Sequence, residues 1–278
     1  MAAELHAPVA PRWRPSPLVA GSLLLHGLAL LLAAWRPQWW PQLLAVLVAD
    51  HVLLTACGLW PRSHWLGPNL VRLPAAAAAR GEVAITIDDG PDPEVTPAVL
   101  DILDAHGARA TFFCIGTQAR RHPQLCQEIV RRGHAIGNHS QHHRHHFSFL
   151  GPRGLRRELQ AAQDTLAGIT GRRPRFFRAP AGLRNPLLDP VLPGLGLRLA
   201  SWTRRGFDTR THDAGLLLRR LTHELAAGDI LLLHDGHAAR GADGRPAILA
   251  VLPRLLERLA AAGLKPVTLD HAIPPTTP

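Results

Sequence analysis

From residue 82 onward the chain alternates between short apolar segments and longer amphipathic ones. The short segments have the composition of buried strands, and the segments between them have helical spacing. Such alternation predicts an α/β fold in which a parallel sheet is covered by helices. Seven strands favour a barrel-like closure, and an open doubly wound sheet is the alternative. The strands are predicted near residues 83–87, 110–115, 135–138, 175–178, 197–202, 229–233 and 265–269.

The segment before residue 82 is different, because it contains two apolar runs of roughly bilayer length. Residues 18–35 carry no formal charge, whereas residues 43–60 are interrupted by Asp50 and His51. Asp50 would need a polar partner in lipid. A membrane hairpin is favoured, with a signal peptide as the alternative for the first run. Tryptophans cluster at the run ends, as interfacial aromatic residues do: Trp35, Trp39, Trp40, Trp60 and Trp65.

These patterns predict five regions. They are an N-terminal tail (1–17), one or two transmembrane helices (18–60), a linker (61–81), a catalytic domain (82–270) and a C-terminal tail (271–278).

Basic residues flank the two apolar runs mainly on their outer sides. The positive-inside rule then places both ends of a hairpin, and the catalytic domain, in the cytoplasm. If only the first run spans, the rest of the chain lies outside. Arg12 and Arg14 precede the first run, Arg36 lies between the runs, and Arg62, Arg72 and Arg80 follow.

The net charge is +10, and Lys265 is the only lysine among the basic residues. An arginine-rich surface suits phosphate groups or anionic lipid headgroups, although a general compositional preference for Arg explains the count equally well. Arginine and aromatic residues do not interleave, so no nucleic-acid surface is predicted. The three cysteines are odd in number and scattered, which argues against a disulfide framework.

The first predicted strand ends in the segment Ile-Thr-Ile-Asp-Asp-Gly-Pro, residues 85–91. Side chains of successive strand residues point to opposite sides. Asp88 and Asp89 therefore approach the strand end from different directions, so that one could bind a metal ion while the other remains free as a base. Taken alone, Asp-Asp-Gly is also a common capped turn.

Chemistry-bearing residues follow four further strands, and the carboxyl ends of parallel strands are where α/β barrels carry active sites. His139 and His143 are four residues apart, so on a helical turn they share a face and could bind one metal ion with Asp89. His142 fits the spacing equally well, and a solvated His-rich loop is the alternative. The other strand ends carry Arg178, Trp202 with Asp208, and Leu232 with His234.

In this order, the motifs resemble those of the polysaccharide deacetylase (NodB-homology, carbohydrate esterase) family over about residues 82–270. The resemblance implies a distorted (β/α)7 barrel, here preceded by an α-helical membrane segment. It also implies that Asp89, His139 and His143 bind a divalent metal ion, most often Zn²⁺.

The remaining roles are likewise implied by the resemblance. Asp88 is the general base and His234 the general acid, while Arg178 holds Asp88 and Asp208 sets the protonation state of His234. Leu232 lines the acetyl pocket, and Trp202 belongs to the substrate wall. Two residues depart from the family pattern, because Ala179 replaces a proline and Ala181 a tyrosine; Ala181 keeps the backbone N–H that would face the oxyanion.

The sequence therefore predicts a membrane-tethered, metal-dependent hydrolase that removes N-acetyl groups from an amino-sugar or polysaccharide substrate. Its expected partners are an acetylated glycan or a lipid-linked sugar, and membrane lipid. One alternative is a deformylase or deacetylase of a lipid-linked sugar at the cytoplasmic face. Another is a carbohydrate-binding protein without catalysis.

Overall fold

The computed structural model describes residues 13–275, so parts of the predicted tails lie outside it. The α-helices are α1 (Pro17–Trp35), α2 (Trp40–Leu59), α3 (Ala75–Ala79), α4 (Thr96–Ala105), α5 (Gly116–Arg121), α6 (Pro123–Arg131), α7 (Pro152–Thr170), α8 (Ala214–Thr222), α9 (Ala247–Ala261) and α10 (Leu269–Ala272). The strands are β1 (Glu82–Asp88), β2 (Ala110–Cys114), β3 (Ala135–Asn138), β4 (Phe176–Phe177), β5 (Arg198–Leu199), β6 (Arg204–Arg205), β7 (Ile230–His234) and β8 (Lys265–Val267).

These strands form one sheet in the order β5-β4-β3-β2-β1-β7-β6, and β8 pairs with the beginning of β1. Every strand pair is parallel. Strand β1 is central and buried along its whole length, as a strand covered on both faces should be. The predicted α/β class with a parallel sheet is confirmed.

Side chains alternate between two faces along β1, and this alternation determines which residues face the interior of the curled sheet. Val83, Ile85 and Ile87 pack in the outer core with the surrounding helices. Ala84 packs in a second buried cluster on the other face of the strand. On that face the Thr86 hydroxyl donates a hydrogen bond to the Leu231 carbonyl of β7 at 2.7 Å. Asp88 continues this inner series because side chains two residues apart share a face.

The curled sheet stays open between β5 and β6, and residues 70–73 cover the gap. The N–H of Leu70 donates to the Leu199 carbonyl at 2.9 Å, and the Leu70 carbonyl accepts from the N–H of Ser201 at 2.8 Å. Leu73 donates to the Gly228 carbonyl at 2.8 Å on the other side of the gap. The segment predicted as a linker is thus packed against the catalytic domain. The distorted barrel that the resemblance implied is confirmed as this curled parallel sheet.

The region of the predicted strand 197–202 differs from the expectation. Strand β5 has only two residues, and an additional short strand, β6, follows Trp202, so the sheet has eight strands. After Leu199 the chain has other partners. Ala200 forms a β-bridge with Leu70, and the carbonyls of Ala200 and Ser201 accept hydrogen bonds from the Arg178 guanidinium at 3.1 and 2.7 Å.

Helices α1 and α2 form an antiparallel pair joined by a single turn at Pro37–Trp39. Both are long and apolar enough to cross a bilayer, and only 17% of each apolar window is buried, which distinguishes them from core helices. Asp50 has the polar partner that lipid would require, because the Ser22 hydroxyl donates to it at 2.7 Å. The pair fits the predicted membrane segment.

The base of this hairpin is in close contact with the catalytic domain. The N–H of Arg184 donates to the Gly58 carbonyl at 3.2 Å, and a Cβ at residue 58 would collide with the Arg184 backbone. Leu66, only 1% exposed, packs with Val19 and Cys57. The hairpin therefore joins the domain through a packed contact at its base.

Candidate active site

Unfavourable backbone conformations are concentrated around one cavity of about 490 Å³ at the carboxyl end of the sheet. Asp89, His143, Ala181 and His237 line it, and all four have φ between 50° and 77° although none is glycine. Each such residue costs on the order of 1–3 kcal/mol, so the surrounding structure must hold it in place. Strain of this kind marks the cavity as a functional site.

Asp89, His139 and His143 meet in this cavity. The Oδ1 atom of Asp89 lies 3.2 Å from Nε2 of His139 and 3.2 Å from Nε2 of His143. This oxygen is buried and has no hydrogen-bond partner among the residues described. Two imidazole nitrogens and one carboxylate oxygen are a donor set that suits Zn²⁺ and related divalent ions. The three residues therefore fit a metal ion.

Neighbouring groups orient the two rings for metal binding. Nδ1–H of His139 donates to the Arg178 carbonyl at 2.8 Å, which leaves Nε2 as the lone-pair atom on the side of Asp89. The N–H of His143 donates to the Ser140 hydroxyl at 3.0 Å. Burial lowers the pKa of His143 to about 4, so its ring is neutral at neutral pH, as metal binding requires.

The Asp89 carboxylate remains ionised despite its environment. Burial alone would raise its pKa, but the neighbouring imidazole rings of His139 and His237, 3.2 and 3.3 Å from its two oxygens, hold the pKa of Asp89 well below its usual range. A permanently charged oxygen next to two ring nitrogens again favours a cation.

His142, the alternative that the spacing left open, has a different partner. Its Nδ1–H and its backbone N–H both donate to Glu158, at 2.9 and 3.2 Å. Glu158 comes from α7 and is buried. The geometry therefore favours His143 as the third ligand.

Asp88 is held by Arg178 from the loop after β4. Nη1 of Arg178 donates to Asp88 Oδ1 at 2.7 Å and to the Thr86 hydroxyl at 2.8 Å. Arg178 is 1% exposed, and its guanidinium lies 4.2 Å from the centre of the Phe113 ring. The second Asp88 oxygen lies 3.9 Å from Nε2 of His139, next to the metal-binding atoms. That oxygen can take a proton from a group bound there.

His234 is bound at two points by Asp208. Nδ1–H of His234 donates to Asp208 Oδ1 at 2.8 Å, and its backbone N–H donates to Oδ2 at 2.7 Å. Burial alone would lower the pKa of His234, but the negative charge of Asp208 outweighs it and raises the pKa above its ordinary value. His234 therefore holds a proton that it can donate from Nε2.

The structure also brings the predicted substrate contacts to this cavity, since Ala181, Trp202 and Leu232 all line it. Leu232 and Trp202 are buried, whereas Ala181 is exposed. Its small side chain occupies the position in the cavity wall where a tyrosine was expected from the resemblance. Gly182 has no room for a side chain, because a Cβ there would lie 2.5 Å from the Trp202 ring.

Three residues of the site were missed in the sequence. His237 places Nδ1 3.3 Å from Asp89 Oδ2 and stacks on His143, while Arg205 lines the wall beside Trp202. Asp235 lies behind the site, where it accepts a hydrogen bond from Thr96 at 2.5 Å. For Asp235 and His237, the signal in the sequence was the run His-Asp-Gly-His at 234–237, directly after a predicted strand.

Comparisons with known proteins point to one family. A sequence model described as polysaccharide deacetylase matches residues 75–200. A chitooligosaccharide deacetylase of Azorhizobium caulinodans is 37% identical over 193 residues, 66% of this chain and 90% of that protein. A peptidoglycan-N-acetylglucosamine deacetylase of Bacillus cereus is 32% identical over 193 residues, 69% of this chain and 87% of that protein.

The fold is also similar to solved structures. A family 4 carbohydrate esterase from Streptomyces lividans, in complex with acetate, superposes with a TM-score of 0.61 and 32% identity. The match covers 67% of this chain and 91% of the esterase.

We expect the double change His139→Ala and His143→Ala to abolish binding of a divalent metal ion, because it removes both nitrogen ligands. Metal content after dialysis against Zn²⁺, measured by plasma mass spectrometry, checks this. His142→Ala is the matched control and should retain the metal. Full occupancy in the double variant would show that the three residues are not the ligands.

Asp235 should make the stability of the metal-free protein depend on pH. Burial raises the pKa of this carboxyl to about 7, whereas in the unfolded chain it is about 3.9. The folded state then binds the proton more tightly, so stability is highest below pH ~4 and falls as pH rises toward ~7. Asp235→Asn should flatten that part of the curve, measured by urea unfolding in detergent at several pH values. Parallel curves for the two proteins would contradict this origin.

Proposed function

Because the chain belongs to the polysaccharide deacetylase family, we propose that it removes the N-acetyl group of an amino sugar in a metal-dependent reaction. One observation carries this proposal. The unpartnered oxygen of Asp89 faces two ring nitrogens in the same cavity that holds the Arg178–Asp88 and Asp208–His234 pairs. Ligands, base and acid for amide hydrolysis are thus within one site.

Asp89, His139 and His143 would hold the metal ion. When bound, the ion supplies positive charge that polarises the amide carbonyl and lowers the pKa of water. The protein's own residues would carry out the proton transfers around it.

Asp88 would act as the general base. Its free oxygen is close to the metal-binding atoms, and Arg178 fixes the carboxylate through the other oxygen. A base positioned in this way needs no rearrangement before it takes the proton of the attacking water. Arg178 has its donors engaged by Asp88, Thr86 and the two carbonyls, so its role would be positioning.

His234 would protonate the leaving amine. Amide hydrolysis requires this step, because an unprotonated amide nitrogen is a very poor leaving group. The raised pKa of His234 favours the protonated ring, and Asp208 keeps the ring in the orientation that presents Nε2. The backbone N–H of Ala181 would stabilise the oxyanion, a contribution that does not need the missing tyrosine side chain.

The substrate we propose is an N-acetylated glycan. The relatives are named as deacetylases of chitooligosaccharides and of peptidoglycan N-acetylglucosamine. Incubation of the purified full-length protein with Zn²⁺ and N-acetylated chitooligosaccharides or peptidoglycan fragments tests this, with released acetate as the readout. A metal-loaded protein that releases none would support a non-catalytic binding protein instead.

We expect Asp88→Asn to keep its metal ion and lose roughly 10²–10⁴-fold in kcat, which is the usual effect of removing a general base. Acetate release and metal content are measured on the same sample. Asp101→Asn is the control, because Asp101 is a surface carboxylate 69% exposed. A metal-loaded Asp88→Asn protein with the wild-type rate would exclude Asp88 as the base.

We further propose that both apolar helices span the membrane, with the catalytic domain on the cytoplasmic side. The support is the short turn between α1 and α2 and the distribution of arginines outside the pair. Reporter fusions after Pro74 should therefore show activity only with a cytoplasmic reporter. Activity of an external reporter alone would favour a single N-terminal anchor and a substrate of the cell envelope.

A further inference from the structure

A second cavity, of about 680 Å³, opens beside the base of the hairpin and is called the basic cleft here. One wall is formed by the residues that directly follow α2, a second by the segment around β6, and a third by the end of α8. Its lining consists of Trp60, Pro61, Arg62, Trp202, Thr203, Arg204, Arg205, Phe207, Arg219, Arg220 and His223.

The basic cleft adjoins the active-site cavity. Trp202 and Arg205 line both spaces. A ligand with an acetamido group in the active-site cavity can therefore extend past these two side chains into the basic cleft.

Arg205 lies at this junction without a salt bridge in the described part of the chain. Its Nε atom is buried and has no hydrogen-bond partner, and no carboxylate of residues 13–275 lies within 4.0 Å of its guanidinium. The guanidinium is held between the rings of Trp202 and Phe207, at 5.4 and 4.9 Å from their centres. Phe207 adopts φ 66°, an unfavourable conformation that places its ring here. The charges of Asp208 and Asp88 act on this partly buried cation from beyond salt-bridge distance, so no anion of the described residues pairs with it directly.

Three more arginines of the basic cleft, Arg62, Arg219 and Arg220, also form no salt bridge within the described part of the chain. Arg204 differs, because Asp229 neutralises it at 2.8 Å. Arg62 and Arg220 each donate one hydrogen bond to a backbone carbonyl, which leaves their charge without an anionic partner. Several such guanidinium groups lining one space match phosphate oxygens, with which guanidinium groups form paired, charge-assisted hydrogen bonds.

The basic cleft lies next to the end of the apolar helix α2, which would bring its arginines close to a bilayer. Trp60 and Arg62 immediately follow the apolar helix α2, and Trp60 is 54% exposed. Tryptophan and arginine at the end of a spanning helix lie at the depth of lipid headgroups. A phosphate in the cleft would thus lie at headgroup depth, with the active site adjoining it.

We propose that the basic cleft binds the phosphate or diphosphate that joins an N-acetylated amino sugar to a membrane lipid. The lipid chain remains in the bilayer, and the phosphate contacts the arginines of the cleft that form no salt bridge. The sugar reaches the active-site cavity past Arg205. The identity of the sugar substrate rests on the proposed deacetylase function, whereas phosphate binding does not. Headgroups of ordinary anionic lipids share this chemistry, but they carry no sugar to fill the adjoining cavity.

The first test measures binding without catalysis. Inorganic pyrophosphate is titrated into the full-length, metal-free protein in an uncharged detergent, with isothermal calorimetry as the readout. The double variant R219Q/R220Q should bind roughly tenfold or more weakly, since charge-assisted hydrogen bonds are lost. R254Q/R258Q is the matched control, because it removes two exposed arginines of α9 outside the cleft. Equal binding by all three proteins, or none by the wild type, would overturn the proposal.

The second test compares two substrates of the metal-loaded protein in phosphatidylcholine nanodiscs. One is a soluble chitooligosaccharide, and the other is N-acetylglucosamine linked through diphosphate to a polyprenyl lipid. R219Q/R220Q should lower kcat/KM roughly tenfold for the lipid-linked substrate and leave the soluble one unchanged. An unchanged rate on the lipid-linked substrate, combined with weaker binding to phosphatidylglycerol vesicles, would identify a general lipid contact and overturn the proposal. No acetate from either substrate would instead refute the deacetylase function, and the calorimetry would still decide the cleft.

Discussion

The buried ion pair of Arg178 and Asp88 connects most of the catalytic end of the sheet. Arg178 follows β4, and its guanidinium reaches Asp88 at the end of β1 and the carbonyls that follow β5. Its own carbonyl orients His139. Removing one partner of such a buried pair costs on the order of 3–5 kcal/mol, because the other charge is left without compensation. Through its side chain and its own carbonyl, this one residue holds the proposed base, a proposed metal ligand and the segment that leads to Trp202.

Much of the fold followed from local sequence patterns. A run such as Val83–Ile87 is recognisable as a buried strand without any knowledge of its neighbours, and a parallel sheet then places the strand ends at one edge. This is why Asp88, Asp89 and His234 could be assigned to one site from the sequence. The extra strand β6 and the cover at residues 70–73 could not be assigned in this way. They have few residues and depend on contacts distant in sequence, such as the pairing of Arg204 with Leu231 and the hydrogen bond from Leu70 to the Leu199 carbonyl.

The choice between His142 and His143 shows the same limit within the site. Both histidines fit the spacing, and the deciding group is Glu158, which lies 16 residues from His142 in sequence and comes from α7. Similarly, Arg205 has no motif of its own, because its significance comes from the two rings beside it and from the absence of a salt bridge with residues 13–275. Neither kind of relation can be read from the order of residues.

The tight packing of Gly58 against Arg184 determines how far the catalytic domain can work from a bilayer. A flexible linker would let the domain take many positions around its membrane anchor. The effective concentration of the domain near a given membrane site would then depend on linker length. A hairpin wedged against the domain instead fixes one height and one orientation above the lipid. With α1 and α2 in a membrane, the cavity would move only within a plane parallel to the bilayer surface. If the substrate is the proposed lipid-linked sugar, it would reach the cavity by lateral diffusion in that plane.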